Sequence, residues 1–214
     1  MKDDFRERLS SRVVASGLTV TPSQLDQLER YYRLLVQWNR TINLSAYQLE
    51  PIAAEGLDRL FVEPLAAARL LPEMVIAWSD IGSGGGSPAI PLKIVRPMAR
   101  LTMVEVRSRK AAFLREVARQ LDLVHAEVAC DRFERLAERS DVYRSADLLT
   151  VRAVRATVGL IQAADRVLKP SGRLLVFGSD SSRTEWIASP FVEVEESIRL
   201  APTEVAAVSV LVRT

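Results

Sequence analysis

The sequence predicts an α/β fold: a mostly parallel seven-stranded sheet with helices on both faces, preceded by an N-terminal helical extension. Three observations lead there. The hydrophobic period changes near residue 74, from helical spacing to short apolar runs. Five such runs alternate with amphipathic stretches, the pattern of a parallel sheet covered on both sides. Two further strand-like runs close the chain without a convincing helix between them, and they read as an antiparallel edge. The chain of 214 residues thus divides into an extension, residues 1–74, and a sheet-bearing domain, residues 75–214.

Each element has its own justification. Thr21 is placed to cap a helix, Pro22 suits its first position and Gln24 completes a capping box. Leu25, Leu28, Tyr32, Leu35 and Trp38 recur at helical spacing and make one face apolar. The segment "WNRTINLSA" ends that helix. A second helical region runs roughly from Pro51 through Leu71, ending before Pro72. The strand runs are "VIAWSD", "RLTMVEV", "HAEVAC", "ADLLTV" and "GRLLVFGS". Between them lie the amphipathic stretches Ala89–Val95, Ser108–Gln120, Arg132–Glu138 and Thr157–Val167. The closing pair is "FVEVEES" and "AAVSVLV".

Composition excludes several classes. Lys and Arg number 29 against 27 Asp and Glu, so the net charge is only +2, which argues against a strongly basic binder but permits a local basic face. One cysteine, Cys130, rules out an internal disulfide and a cysteine-rich metal site. The start "MKDDFRERLS" has no apolar signal core, and no stretch approaches about 18 uncharged apolar residues. The expectation is a soluble cytoplasmic monomer without metal or membrane attachment.

The stretch "DIGSGGGSPAIPL", residues 80–92, puts four glycines into five positions directly after the first strand. In an open α/β sheet, ligands bind outside the carboxyl ends of the strands. A dinucleotide fingerprint starting at Gly82 would need glycine at 87, which is Ser87; starting at Gly84 it would need glycine at 89, which is Ala89. No Gly-Lys-Ser/Thr follows, so the loop is no P-loop. A bare loop without phosphate-binding features suits a ligand whose body presses on backbone, and S-adenosylmethionine is such a ligand. Asp80 could anchor the ammonium of its amino-acid tail, directly or through water. Glu105, ending the second strand, could accept both ribose hydroxyls of an adenosine. The plainer alternatives are a flexible turn and a solvated strand-end acid.

The segments "DIGSGGGSPAIPLKIVRP", "LTMVEVRSRKAAFLREV", "VACDRFERL", "DLLTVRAV" and "LKPSGRLLVFGS" resemble class I S-adenosylmethionine-dependent methyltransferases, whose domain is Rossmann-like. With "LLVQWNRTINLSA" they more narrowly resemble the glucose-inhibited division protein B family, which methylates guanine N7 in bacterial 16S ribosomal RNA. The resemblance runs from about Leu18 to the C-terminus. It implies S-adenosylmethionine as cofactor and ribosomal RNA or the small ribosomal subunit as partner. Carried over, the family's cofactor loop falls on Gly82, Ser83, Gly84, Gly86 and Pro88, its ribose acid on Glu105, and its adenine-edge pair on Asp131 and Arg132. The arginine that the family places beside the target base falls on Arg152. The chain departs from the family's R-H-x-x-D-S segment: Asp58 is kept, while Glu55 and Arg59 replace the histidine and serine. It lacks the family's lysine after the fifth strand, and the C-terminal basic residues are reduced to Arg213.

The residues narrow the acceptor independently. Pyrimidine C5 methylation needs a thiol near the methyl group, and Cys130 ends the third strand, where a small buried hydrophobe is expected. Exocyclic amine methylation usually employs an Asn/Asp-Pro-Pro-aromatic clamp, and "TVRAVRA" stands in its place. Guanine N7 already carries an in-plane lone pair, so its attack needs alignment and charge management but no base. An arginine suits that job, provided Arg152 grips O6 or phosphate and leaves N7 free. A transferase with another RNA or a small molecule as acceptor, and a non-catalytic S-adenosylmethionine-binding assembly module, are the alternative readings. His125 reads as a surface or strand-start residue, Trp38 as packing, and Asn39 and Asn43 as satisfying backbone at the helix end. "RSRK", residues 107–110, and Arg155 supply basic character beside the cleft.

Overall fold

The structure is a computed structural model that describes residues 5–71, 76–178, 185–187, 191–193 and 207–213. The boundary expected at 74/75, Pro72, Ser179 and the end of the "FVEVEES" run lie outside the described residues. Five strands, β1 (Ala77–Ile81), β2 (Arg100–Val104), β3 (Ala126–Ala129), β4 (Ala146–Arg152) and β5 (Leu168–Gly178), pair in parallel. Two more, β6 (Phe191–Glu193) and β7 (Ala207–Arg213), extend the sheet antiparallel from β5, in the order β3-β2-β1-β4-β5-β7-β6. The strand order reverses at the junction of β1 and β4, so the loops after these two strands form the crevice where α/β sheets bind ligands.

Two hydrophobic clusters cover the two faces. The first joins β1 and β2 residues Trp78, Leu101 and Met103 to Ile90 and Leu92 of α5 (Ala89–Val95) and to Phe113, Leu114 and Val117 of α6 (Ser108–Gln120). The second joins Ile81, Leu149 and Leu174 to α7 (Phe133–Ala137) and α8 (Val158–Val167). Successive residues Leu174, Leu175, Val176 and Phe177 alternate between the two clusters, as the pleat of a doubly covered strand requires.

The N-terminal helices belong to the first cluster. Thr21 caps α2 (Pro22–Asn39) in a full capping box with Gln24, with Pro22 in the first turn, as expected. A helix absent from the sequence expectation, α1 (Phe5–Ala15), precedes it. Its Phe5, Leu9 and Val13 are buried, one per turn on a single face. Phe5 stacks on Tyr32 at 4.1 Å between centroids and meets the edge of Phe61. β5 begins at Leu168, four residues before the predicted "GRLLVFGS", and a register shift against β4 between Ala146 and Leu148 absorbs the extra length.

Candidate active site

The expected second helical region is helical from Ala54 to Leu70 but changes pitch three times. A short α3 (Ala54–Leu57) leads into a π-turn at Asp58–Val62, then α4 (Glu63–Ala67) and a 3-10 turn at Ala68–Leu70. Pro64 explains the change. It has no N–H and its ring would strike the carbonyl four residues earlier, that of Leu60. The backbone widens, and the Glu63 N–H reaches Asp58, five residues back. Pro64 can donate neither to Leu60 nor to Arg59, and both carbonyls are taken up from across the site. The Ser87 hydroxyl donates to Leu60 at 2.8 Å, and Arg152 Nη1 donates to the Arg59 carbonyl. The π-turn thus fastens the glycine loop and the end of β4 to the N-terminal layer.

The glycine loop is bare for two different reasons. Gly82, Gly84 and Gly86 have φ of +69°, +53° and +90°, conformations that L side chains resist. Gly85 is needed for close packing: a Cβ there would lie 2.7 Å from the carbonyl oxygen of Leu44. The "WNRTINLSA" segment therefore presses on the loop, held by Asn39, whose Oδ1 accepts from the N–H groups of Leu44 and Ser45 at 2.9 and 3.0 Å. The Tyr31 hydroxyl donates to Gly85 at 2.6 Å. At Gly84 alone of these four no atom would crowd a Cβ, the nearest being Gly82 O at 3.7 Å.

Two cavities flank Gly82 and Val154. The larger, about 520 Å³, lies between the glycine loop, Ser45–Tyr47, the π-turn and the ends of β4 and β5, with Lys110, Arg152 and Phe177 in its wall. The smaller, about 270 Å³, is bounded by Glu105, Val106, Asp131, Arg132 and Thr157. They share Gly82 and Val154 and lie beside the switch point, where open α/β sheets bind ligands. Glu105 borders the smaller cavity and Arg152 the larger, while Asp80 lies buried behind the glycine loop. Asp80 is 1% exposed. A relay holds one oxygen: Trp78 Nε1 donates to Thr150 Oγ1 at 2.8 Å, and Thr150 donates to Asp80 Oδ1 at 2.5 Å. Its Oδ2 is buried and unpartnered. Burial pushes the Asp80 carboxyl up to about 6. Glu105 accepts from the N–H groups of Gly84 at 2.9 Å and Arg107 at 2.8 Å, so its carboxylate ties the loop to the start of α6.

Arg152 is committed on three sides. Nη1 meets the Arg59 carbonyl, Nη2 lies 3.0 Å from Glu63 Oε2, and the guanidinium sits 5.0 Å above the Phe177 ring. Glu63 is fully buried and also faces Arg59 at 3.5 Å. Burial raises its carboxyl while Arg152 and Arg59 lower it, with a net rise.

The expected site residues are thus largely brought together, with corrections. Gly82, Ser83, Gly84 and Arg152 line the larger cavity, and Gly82, Glu105, Asp131 and Arg132 the smaller. Asp80, Gly86 and Pro88 line neither. Gly86 is packed under Tyr31, Ile90 and Leu114, Pro88 is buried at the start of α5, and Asp80 stands behind the loop. Cys130 is exposed, not buried, because β3 is the sheet edge. His125 is exposed directly before β3, and Trp38 packs 5.7 Å from Phe113. Asp58 faces away from the cleft, paired with Arg12 of α1 at 2.7 Å. Arg213 pairs with Asp165 at 2.5 Å. Glu63 and Phe177 were not anticipated; Pro64 inside a helical pattern was the available signal for the first.

Comparison with known proteins agrees with this geometry. The GidB family model, described as rRNA small subunit methyltransferase G, matches residues 24–207. The chain is 39% identical over 165 residues to a ribosomal RNA small subunit methyltransferase G of Xanthomonas axonopodis pv. citri, covering 76% of this chain and 73% of that one. It is 34% identical over 189 residues to a protein of the same name from Leuconostoc mesenteroides, covering 86% and 75%. Among solved structures, a SAM-dependent O-methyltransferase from Thermotoga maritima superposes with a TM-score of 0.54 at 17% identity, covering 72% of this chain and 65% of the other. TrmN from Thermus thermophilus does so at 0.52 and 14%, covering 74% and 53%. These two likenesses are of fold.

Proposed function

The chain belongs to the rRNA small subunit methyltransferase G family, and from that premise we propose that it carries a methyl group from S-adenosylmethionine to N7 of a guanine in 16S ribosomal RNA. One observation carries the cofactor assignment: Asp80 keeps a buried carboxylate oxygen without a partner behind a loop whose Gly84 is open to a ligand. An ammonium group satisfies such an oxygen, and an unsatisfied one costs stability. Glu105 is placed to accept the ribose hydroxyls with the lone pairs that Gly84 and Arg107 leave free, and Asp131 and Arg132 border the same cavity. Bound there, the cofactor supplies a methyl group on a positively charged sulfur.

The chain's residues do the rest by alignment. Arg152 and Phe177 form the wall of the acceptor cavity, Phe177 offering an aromatic face and Arg152 a fixed cation. Lys110 opens onto the same cavity and suits a phosphate of the RNA strand. No general base is required, since N7 has a free lone pair, and orientation accounts for much of the rate. The RNA reading is tested by mass mapping of nucleosides in small-subunit rRNA from cells with and without the gene. Loss of one 7-methylguanosine on deletion is expected; unchanged rRNA sinks the reading and favours another acceptor.

A further inference from the structure

The acceptor wall contains a charge arrangement that cofactor binding does not need. Two guanidinium groups, Arg59 and Arg152, converge on Glu63, a carboxylate with no exposed surface, at 3.5 and 3.0 Å. Phe177 closes the other face of Arg152, and all four residues border the acceptor cavity. The triad carries one net positive charge. Without Glu63 it would carry two, in a desolvated wall where charges are weakly screened.

The proposed reaction makes that balance matter. The N7 lone pair forms the new N–C bond while the S–C bond breaks and leaves its electron pair on sulfur. No proton moves, so the positive charge passes from sulfur to the purine, and the product base is a cation. Methylation of an amine or of a ring N–H followed by proton loss leaves a neutral base, so the demand is particular to a ring nitrogen that bears no proton. We propose that Glu63 is a positioning and charge-balancing residue of the acceptor site: it holds Arg152 in place and cancels one cation so that the wall tolerates a purine becoming positive. The proposal rests on the guanine-N7 reading. Pro64 makes the placement possible, because the π-turn ahead of it sets Glu63 and the Arg59 carbonyl against Arg152 while Asp58 pairs with Arg12 on the other side.

The test is a charge cycle with an equilibrium readout. Glu63→Gln keeps an acceptor oxygen but removes the charge, and Arg59→Ser with Glu63→Gln returns the triad to one net positive charge. Binding of 7-methylguanosine monophosphate and of GMP is measured on each protein saturated with S-adenosylhomocysteine, at mildly acidic pH where the methylated base stays cationic. Single-turnover transfer to small subunits is measured beside it. The expected result is that Glu63→Gln lowers the preference for the methylated nucleotide and the transfer rate by about tenfold each, with S-adenosylhomocysteine affinity within about twofold, and that the double variant recovers most of both. Should Glu63→Gln fold poorly, the double variant, which buries no excess cation, still decides: its preference for the cationic base must stay near wild type. Unchanged preference and rate in Glu63→Gln, or a double variant as impaired as the single, overturns the proposal. Wild-type protein that makes no 7-methylguanosine overturns the guanine reading beneath it.

Discussion

Asp80 carries a buried carboxylate whose cost to the fold the proposed function assigns to a ligand. Its carboxyl titrates near 6 in the fold against 3.8 for the free group, chiefly because it is buried. A raised carboxyl binds protons more tightly in the folded than in the unfolded state, so stability falls as pH rises between those values. At neutral pH the charge then costs on the order of 3 kcal/mol. Asp80→Asn should therefore raise the melting temperature at neutral pH, with the gain shrinking as pH drops below 6 towards 4. It should also abolish S-adenosylmethionine binding. Melting curves of variant and wild type at two pH values with calorimetry check both; a gain over the wild type no larger at neutral pH than in acid contradicts the assignment of strain to this carboxylate. Arg152 lies at the opposite pole. Its partners line the larger cavity, the proposed acceptor site, so Arg152→Ala should retain cofactor affinity within a few fold and lose methyl transfer by about 100-fold through misalignment. Near wild-type transfer would make it a packing residue. Both residues were legible in the sequence because they sit at strand ends beside the switch point. Glu63 was not, because helical periodicity alone makes its segment one continuous helix.

Among the elements, the glycine loop separates conformational need from packing need. Gly84→Val places a side chain in open space at φ +53°, where it meets ligand and backbone strain but no neighbour. It should weaken cofactor binding more than it lowers stability. Gly85→Ala does the reverse: its Cβ would collide with the Leu44 carbonyl, forcing the "WNRTINLSA" segment off the loop and lowering the melting temperature by several degrees. Thermal melts and binding isotherms of the two variants distinguish these effects, and equal behaviour would contradict the division. The sequence showed that the loop needed bare backbone, yet only the tertiary placement of Leu44 tells which glycine serves the protein itself. Capping chemistry made α2 readable from Thr21, Pro22 and Gln24. By contrast α1, although Phe5, Leu9 and Val13 share its buried face, is short and rich in charge, so its apolar stripe is weak in the sequence. The π-turn illustrates a different limit: Pro64 inside a helical pattern implies a local break but not that the break delivers two carbonyls to the site.

For the molecule as a whole, alternation of buried runs and amphipathic stretches was enough to predict five parallel strands, helices on both faces and an antiparallel edge. Those features follow from local patterns repeated along the chain. What the pattern could not convey is that residues 5–71 form one layer with the sheet. Phe5, Tyr32 and Phe61 share a hydrophobic cluster with Trp78, Met103 and Phe177, so the helical layer, whose Leu35, Ser45–Tyr47 and Leu60 line the larger cavity, is continuous with the core. The central claim is that this layered cleft aligns a cofactor methyl with guanine N7 in small-subunit RNA. The most direct measurement is a reconstituted reaction. Purified protein is incubated with small subunits lacking the modification and with S-adenosylmethionine carrying a deuterated methyl group, and the digested RNA is resolved by mass spectrometry. The account predicts deuterated 7-methylguanosine approaching about one per subunit and no other labelled nucleoside; label in a different nucleoside, or none while the cofactor binds, would contradict it.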